Sequence, residues 1–180
     1  GREYSALRRL QAVLAATRST KLMQSEASLE PGVFGIFRPV LLWPRSVSEH
    51  LDDAHLEAVI AHELCHVRRR DNLAAVLHML VEAVFWFHPL VWWIGAQLIA
   101  ERERACDEAV IELGSHRQTY AESILKVCEF CLSSPLTCVS GVTGADLKKR
   151  MVHIMTDHVV RKLNLSRKLL LCAAACLAIA

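Results

Sequence analysis

Two polar segments, His62-Glu63-Leu64-Cys65-His66 and Glu101-Arg102-Glu103-Arg104-Ala105-Cys106-Asp107, flank an almost wholly apolar stretch, and this restricts the fold more than any other feature of the chain. At 3.6 residues per turn, His62 and His66 lie on one helix face with Glu63 beside them. The run before them has an acidic start at Asp52 and Asp53. Leu56, Val59, Ile60 and Leu64 then recur at spacings of three and four, so a helix with one packed face is expected. Two imidazoles and a carboxylate so placed form the pattern of a zinc-protease helix, with the glutamate as general base.

A catalytic zinc takes three protein ligands and keeps one position open. Six residues after His66, where one variant of the pattern has a third histidine, the chain has Asn72. A carboxylate from a later helix is therefore expected, and Glu101, Glu103, Asp107 and Glu108 are the candidates. We take Glu103 as the third ligand. Asp107, four residues on and on the same face, then suits a supporting role, accepting a hydrogen bond from a ligating imidazole and fixing its tautomer. Asp71 can orient a ligand or pair with one of the arginines before it. His78, His88 and His116 are oxyanion donors only if the fold delivers them to the site.

The 28 residues from Leu73 to Ala100 carry Glu82 as their one full charge, with Trp86, Trp92 and Trp93 near the middle. As one straight helix the run would extend roughly 42 Å and could cross a bilayer. His62 and His66 would then lie on one side of the membrane and Glu103 on the other, too far apart to share an ion. The chain must double back. Phe87-His88-Pro89 is the place, because proline breaks a helix and biases its predecessor away from helical geometry. Each arm is then about 20 Å, too short to span, and the expectation is a helical hairpin packed on the domain or re-entrant at the bilayer interface.

Elsewhere, Tyr4 to Lys21 reads as an amphipathic helix. Leu22 to Ser25 and Val33 to Trp43, separated by Glu30-Pro31-Gly32, read as a small β-hairpin or meander, with Pro39 making the second run an edge strand or a broken one. An edge beside the helix could accept an extended substrate. A helix is expected to reach about Leu113 and stop at Gly114, another to cover Tyr120 to Leu132, and Ser133 to Gly144 to form a loop. The fold class is α+β, mostly α.

A hydrophobic content of 53% and a positive mean hydropathy point to membrane association. A formal net charge of +2 without a basic, aromatic-interleaved stripe gives no direct nucleic-acid binding. Seven cysteines, an odd number scattered through helical segments, fit a reducing compartment, and Cys128 and Cys131 read as small residues on a buried helix face. Leu169 to Ala180 is an uninterrupted apolar run, read as the beginning of a transmembrane helix. Lys148, Lys149, Arg150, Arg161, Lys162, Arg167 and Lys168 precede it, and such positive flanks favour the cytoplasmic side. Residues 1–165 are thus read as a zinc metalloprotease domain of a larger membrane protein, and 169–180 as the start of a membrane helix, with the catalytic domain facing the cytoplasm.

His62 to Asp71, Trp86-Phe87-His88-Pro89-Leu90-Val91-Trp92-Trp93 and Glu103-Arg104-Ala105-Cys106-Asp107, together with Val33-Phe34-Gly35 and Arg38-Pro39, resemble the membrane metalloprotease domain of the BlaR/MecR-type β-lactam sensor-transducers of bacteria. The resemblance implies a gluzincin-like arrangement in which Zn2+ is held by His62, His66 and Glu103, with Glu63 as catalytic base. It further implies signal-triggered cleavage of the protein itself or of a repressor, an antirepressor role. CAAX-processing membrane proteases, which share the histidine motif and a later acidic one, are an alternative family. A non-catalytic transmembrane signalling scaffold is an alternative of another class.

Overall fold

The computed structural model describes residues 1–14, 19–26, 30–133 and 144–156. Helix α1 (Arg2–Val13) is followed by strands β1 (Lys21–Ser25), β2 (Gly32–Phe34) and β3 (Val40–Pro44) and a short helix α2 (Arg45–His50). Five longer helices complete the described chain: α3 (Asp53–Arg69), α4 (Asp71–Val84), α5 (Pro89–Glu112), α6 (Arg117–Ser133) and α7 (Gly144–Met155). The α+β class, mostly α, is as expected.

Helix α3 is the centre of the core. Asp52 caps it by accepting a hydrogen bond from the His55 amide at 2.9 Å. Leu56, Ile60 and Leu64 on its packed face are buried against Leu7 of α1, Leu41 and Trp43 of β3, Val110 of α5 and Tyr120 of α6. The helix ends at Arg70, whose left-handed backbone (φ 60°, ψ 39°) turns the chain sharply into α4. That conformation is unusual for a residue with a side chain. Its effect is to fold Asp71 back toward the last turn of α3.

The sheet departs from a simple meander. Strand order is β1-β3-β2, with β1 parallel and β2 antiparallel to β3. The run around Pro39 is broken there: its first part supplies the edge strand β2 and its second the central strand β3. Leu41 and Trp43 point into the core in the period of two that a strand imposes, leaving Leu42 for the opposite face. The first helix is shorter than its apolar period implies, because Lys21 pairs with Val40 as the start of β1.

The apolar stretch doubles back where proline requires it. Helix α4 ends at Val84, and α5 starts with Pro89 at its first position, His88 Nδ1 accepting from the Leu90 amide at 3.4 Å. The two arms meet at Gly95, where a Cβ would displace the ends of the His78 and Glu82 side chains. Among the described residues, no helix is long and apolar enough to cross a membrane. Helix α5 runs on through Glu103 and Asp107 to Glu112, and Gly114 (φ +98°) makes the turn to α6. Most of the loop expected between Ser133 and Gly144, and all of the terminal apolar run 169–180, lie outside the described residues. Helix α7 is an element that the sequence pattern did not announce.

Candidate metal centre

His62 and His66, one turn apart on α3, bring their Nε2 atoms to 3.1 Å from each other. Glu103 reaches in from α5, its Oε2 3.4 Å from His62 Nε2 and its Oε1 3.8 Å from His66 Nε2. The corner-to-corner separation of donors around a tetrahedral zinc with bonds of 2.0–2.1 Å is about 3.3 Å. The three groups therefore stand at the spacing such an ion requires.

Protonation argues the same way. Asp71 Oδ2 lies 2.7 Å from His66 Nδ1, and a carboxylate can only accept, so that nitrogen carries the proton. Tyr120 donates its hydroxyl hydrogen to Asp107 Oδ1 at 2.6 Å and accepts from His62 Nδ1 at 2.8 Å. Both Nε2 lone pairs consequently face each other and the Glu103 carboxylate. Such a convergence of acceptors is repulsive until a cation enters it.

The surrounding charges follow from packing. Burial works to raise the Glu103 carboxyl, but positive charge placed at the two imidazoles, as a bound cation would also supply, and the Arg150 guanidinium outweigh it and hold the group below the usual carboxylate range. Arg102 touches Glu103 Oε1 at 3.2 Å and Arg150 lies 3.5 Å from Oε2, so guanidinium groups clamp this carboxylate from two sides. Burial pushes Glu63 the other way, up to about 7, with His66 opposing and the Glu103 charge adding. Two carboxyls in one cleft are thus driven apart, one held ionised and the other brought near neutrality, as acid–base chemistry requires. Tyr120, fully buried, is kept protonated by burial and by the neighbouring Asp107 charge.

Asp71, for which the sequence left open a ligand-orienting role or an arginine pair, makes both contacts: Oδ2 lies 2.7 Å from His66 Nδ1 and Oδ1 3.4 Å from Arg69 Nε. Asp107 reaches His62 mainly through Tyr120, its direct separation from Nδ1 being 3.4 Å. Neither His78, His88 nor His116 lines the cleft that holds these residues. Three members of the network had no sequence signal of their own: Tyr120, Arg150 and Cys106. Arg150 follows two basic residues, Lys148 and Lys149, that are exposed, whereas its own side chain is largely enclosed.

His66, Asp71 and Cys106 form a second cluster in which one donor atom from each lies within 4.8 Å of the others. It uses the opposite nitrogen of His66. Burial and the Asp71 charge push the Cys106 thiol above its ordinary range. The thiol lies 3.8 Å from Asp71 Oδ2, where it supports the carboxylate that orients His66.

The cleft in front of the three donors encloses about 300 Å³. Its walls come from Glu63 and Val59 of α3, Gly32 and Phe34 of β2, Tyr120 and Ile124 of α6, and Arg150 of α7. Strand β2 pairs with β3 alone among the described strands, and Asn72 Nδ2 donates to its Val33 carbonyl at 3.0 Å.

Comparison with known proteins follows the same lines. The peptidase family described as BlaR1 peptidase M56 matches residues 2–154. Over 107 residues, 58% of this chain and 18% of the relative, the chain is 35% identical to the regulatory protein BlaR1 of Bacillus licheniformis. It is 27% identical over 145 residues to the methicillin resistance mecR1 protein of Staphylococcus aureus, covering 77% of this chain and 25% of the relative. The chain thus spans a quarter or less of the length of these relatives.

Proposed function

This chain belongs to the BlaR1 peptidase M56 family, and from that premise we propose that it is a membrane-associated, zinc-dependent endopeptidase of a signal-transducing type. The observation that carries the proposal is the convergence of His62 Nε2, His66 Nε2 and the Glu103 carboxylate, whose Oε2 is 3.4 Å from the first imidazole and Oε1 3.8 Å from the second, each imidazole with its other nitrogen already engaged. When bound, zinc supplies Lewis acidity, polarising a peptide carbonyl and making water deprotonable near neutral pH. Glu63 takes the proton from the attacking water and returns it to the leaving amine. Asp71, and Asp107 through Tyr120, hold the two imidazoles in the tautomer that leaves Nε2 free. A substrate chain lies extended beside β2, across the cleft mouth.

The substrate in this reading is a protein, either a repressor-like cytosolic partner or the chain itself, and the fold has no part in direct nucleic-acid binding. The α4–α5 hairpin supports the membrane assignment: Leu80, Phe85, Trp86, Trp92 and Trp93 are all more than 45% exposed. So large an apolar surface calls for a covering phase, and tryptophans favour the level of the lipid headgroups. Positive residues ahead of the terminal apolar run favour a cytoplasmic catalytic domain.

The test compares wild type with Glu63→Gln for zinc content and for cleavage of casein or of the chain itself. One zinc in each, with cleavage reduced about 100- to 10,000-fold in the variant, is expected. Equal cleavage by both proteins removes Glu63 as the base. Wild type that binds zinc but cleaves nothing points to a signalling scaffold.

A further inference from the structure

Helix α7 buries a charge where its period calls for an apolar residue. Leu147, Met151 and Ile154 recur along its inner face and pack on the core, and Arg150 stands in the same stripe. A guanidinium in that position is costly unless it is fully engaged. Its Nε and Nη2 donate to the two oxygens of Asp107, at 3.0 and 2.7 Å. Nη1 is 3.5 Å from Glu103 Oε2, the oxygen that faces His62.

Asp107 is completely buried, so without Arg150 it would be an uncompensated charge in the core. Through Tyr120 it also sets the tautomer of His62. One guanidinium thereby touches both the carboxylate that converges on the imidazoles and the carboxylate that orients one of them. Other ties of α7 are made by residues that do not line the cleft, among them Arg117, which donates to the carbonyl of Ile154 at 2.8 Å, and His153, which meets Glu108 at 3.0 Å.

We infer that Arg150 is a positioning residue that couples the docking of α7 to metal binding, so that the centre is complete only when α7 is seated. The inference rests on the metal centre proposed above and adds a condition for its assembly. Glu103 and Asp107 lie one helical turn apart on α5 and repel each other. Arg150 holds the pair at fixed spacing, and a cation entering between Glu103 and the imidazoles finds its third donor already aimed. Coupling of this kind is reciprocal: whatever factor α7 contributes to zinc affinity, zinc contributes to the docking of α7.

The experiment uses the full chain in detergent, with zinc titration and amide hydrogen exchange on wild type, Arg150→Gln and Arg150→Lys. Loss of a supporting partner of this type weakens metal affinity about 10- to 100-fold. That loss is expected in Arg150→Gln, and only partial recovery in Arg150→Lys, whose single ammonium cannot span both carboxylates. In wild type, zinc is expected to slow exchange of the α7 amides by a similar factor while leaving those of α1 unchanged, a readout that needs no variant to fold. Wild type that binds zinc without selective protection of α7, or Arg150→Gln that binds zinc as tightly as wild type, overturns the inference and leaves the metal centre standing. Absence of zinc binding in wild type overturns both.

Discussion

Helix α3 and the α4–α5 hairpin are both rich in apolar residues, yet their surroundings are opposite. Of the 17 residues of α3, 10 are buried, whereas in the 14 residues of α4 only Asp71 is. Both patterns arise from the same hydrophobic effect. The difference lies in what covers each surface. The sheet, α1, α5 and α6 cover α3 and so can hold its imidazoles to fractions of an ångström. The outer hairpin is left to another phase, and the account assigns it to lipid.

Core truncation sharpens this contrast most. Leu64→Ala in α3 is expected to cost about 2–5 kcal/mol of stability, because the side chain is wholly enclosed. Leu80→Ala in α4, 59% exposed, should cost less than about 0.5 kcal/mol in the same detergent. Equal costs by denaturant titration would break the comparison. A smaller effect is expected at the hairpin tip. Replacing Trp92 and Trp93 by serine should weaken partition of the protein into phospholipid vesicles about tenfold, or about 1.4 kcal/mol in all, since rings at the headgroup level give up only part of what full burial of a large apolar side chain contributes. Cleavage of a soluble peptide should be unchanged by that double substitution. Undiminished vesicle binding would remove the hairpin as the membrane-seating element.

Legibility in the sequence followed the range of the interactions. The helix bearing His62, Glu63 and His66 was readable from local period and capping, and the hairpin from one proline. Glu103 was chosen among four acidic residues as the third donor, and the reversal of the apolar stretch followed from requiring it to share an ion with the histidines. Strand order was not readable, because parallel pairing of β1 with β3 depends on contacts across the whole of the intervening chain. Arg150 was concealed by its neighbours. Lys148 and Lys149 are exposed, and only tertiary packing against Asp107 sets the largely enclosed Arg150 apart from them. Tyr120 gave no hint either, since an aromatic residue at helical spacing is ordinary core until its hydroxyl is found between His62 and Asp107.

The central claim is that one zinc ion sits on the Nε2 side of His62 and His66 with Glu103, and not on the Nδ1 side of His66 with Asp71 and Cys106. X-ray absorption of the zinc-loaded protein distinguishes the two directly, because zinc–sulfur bonds are near 2.3 Å and zinc–nitrogen and zinc–oxygen bonds near 2.0–2.2 Å. Nitrogen and oxygen ligands alone are expected, with the outer scattering of two imidazoles. A sulfur scatterer at about 2.3 Å, or a single imidazole, would contradict it.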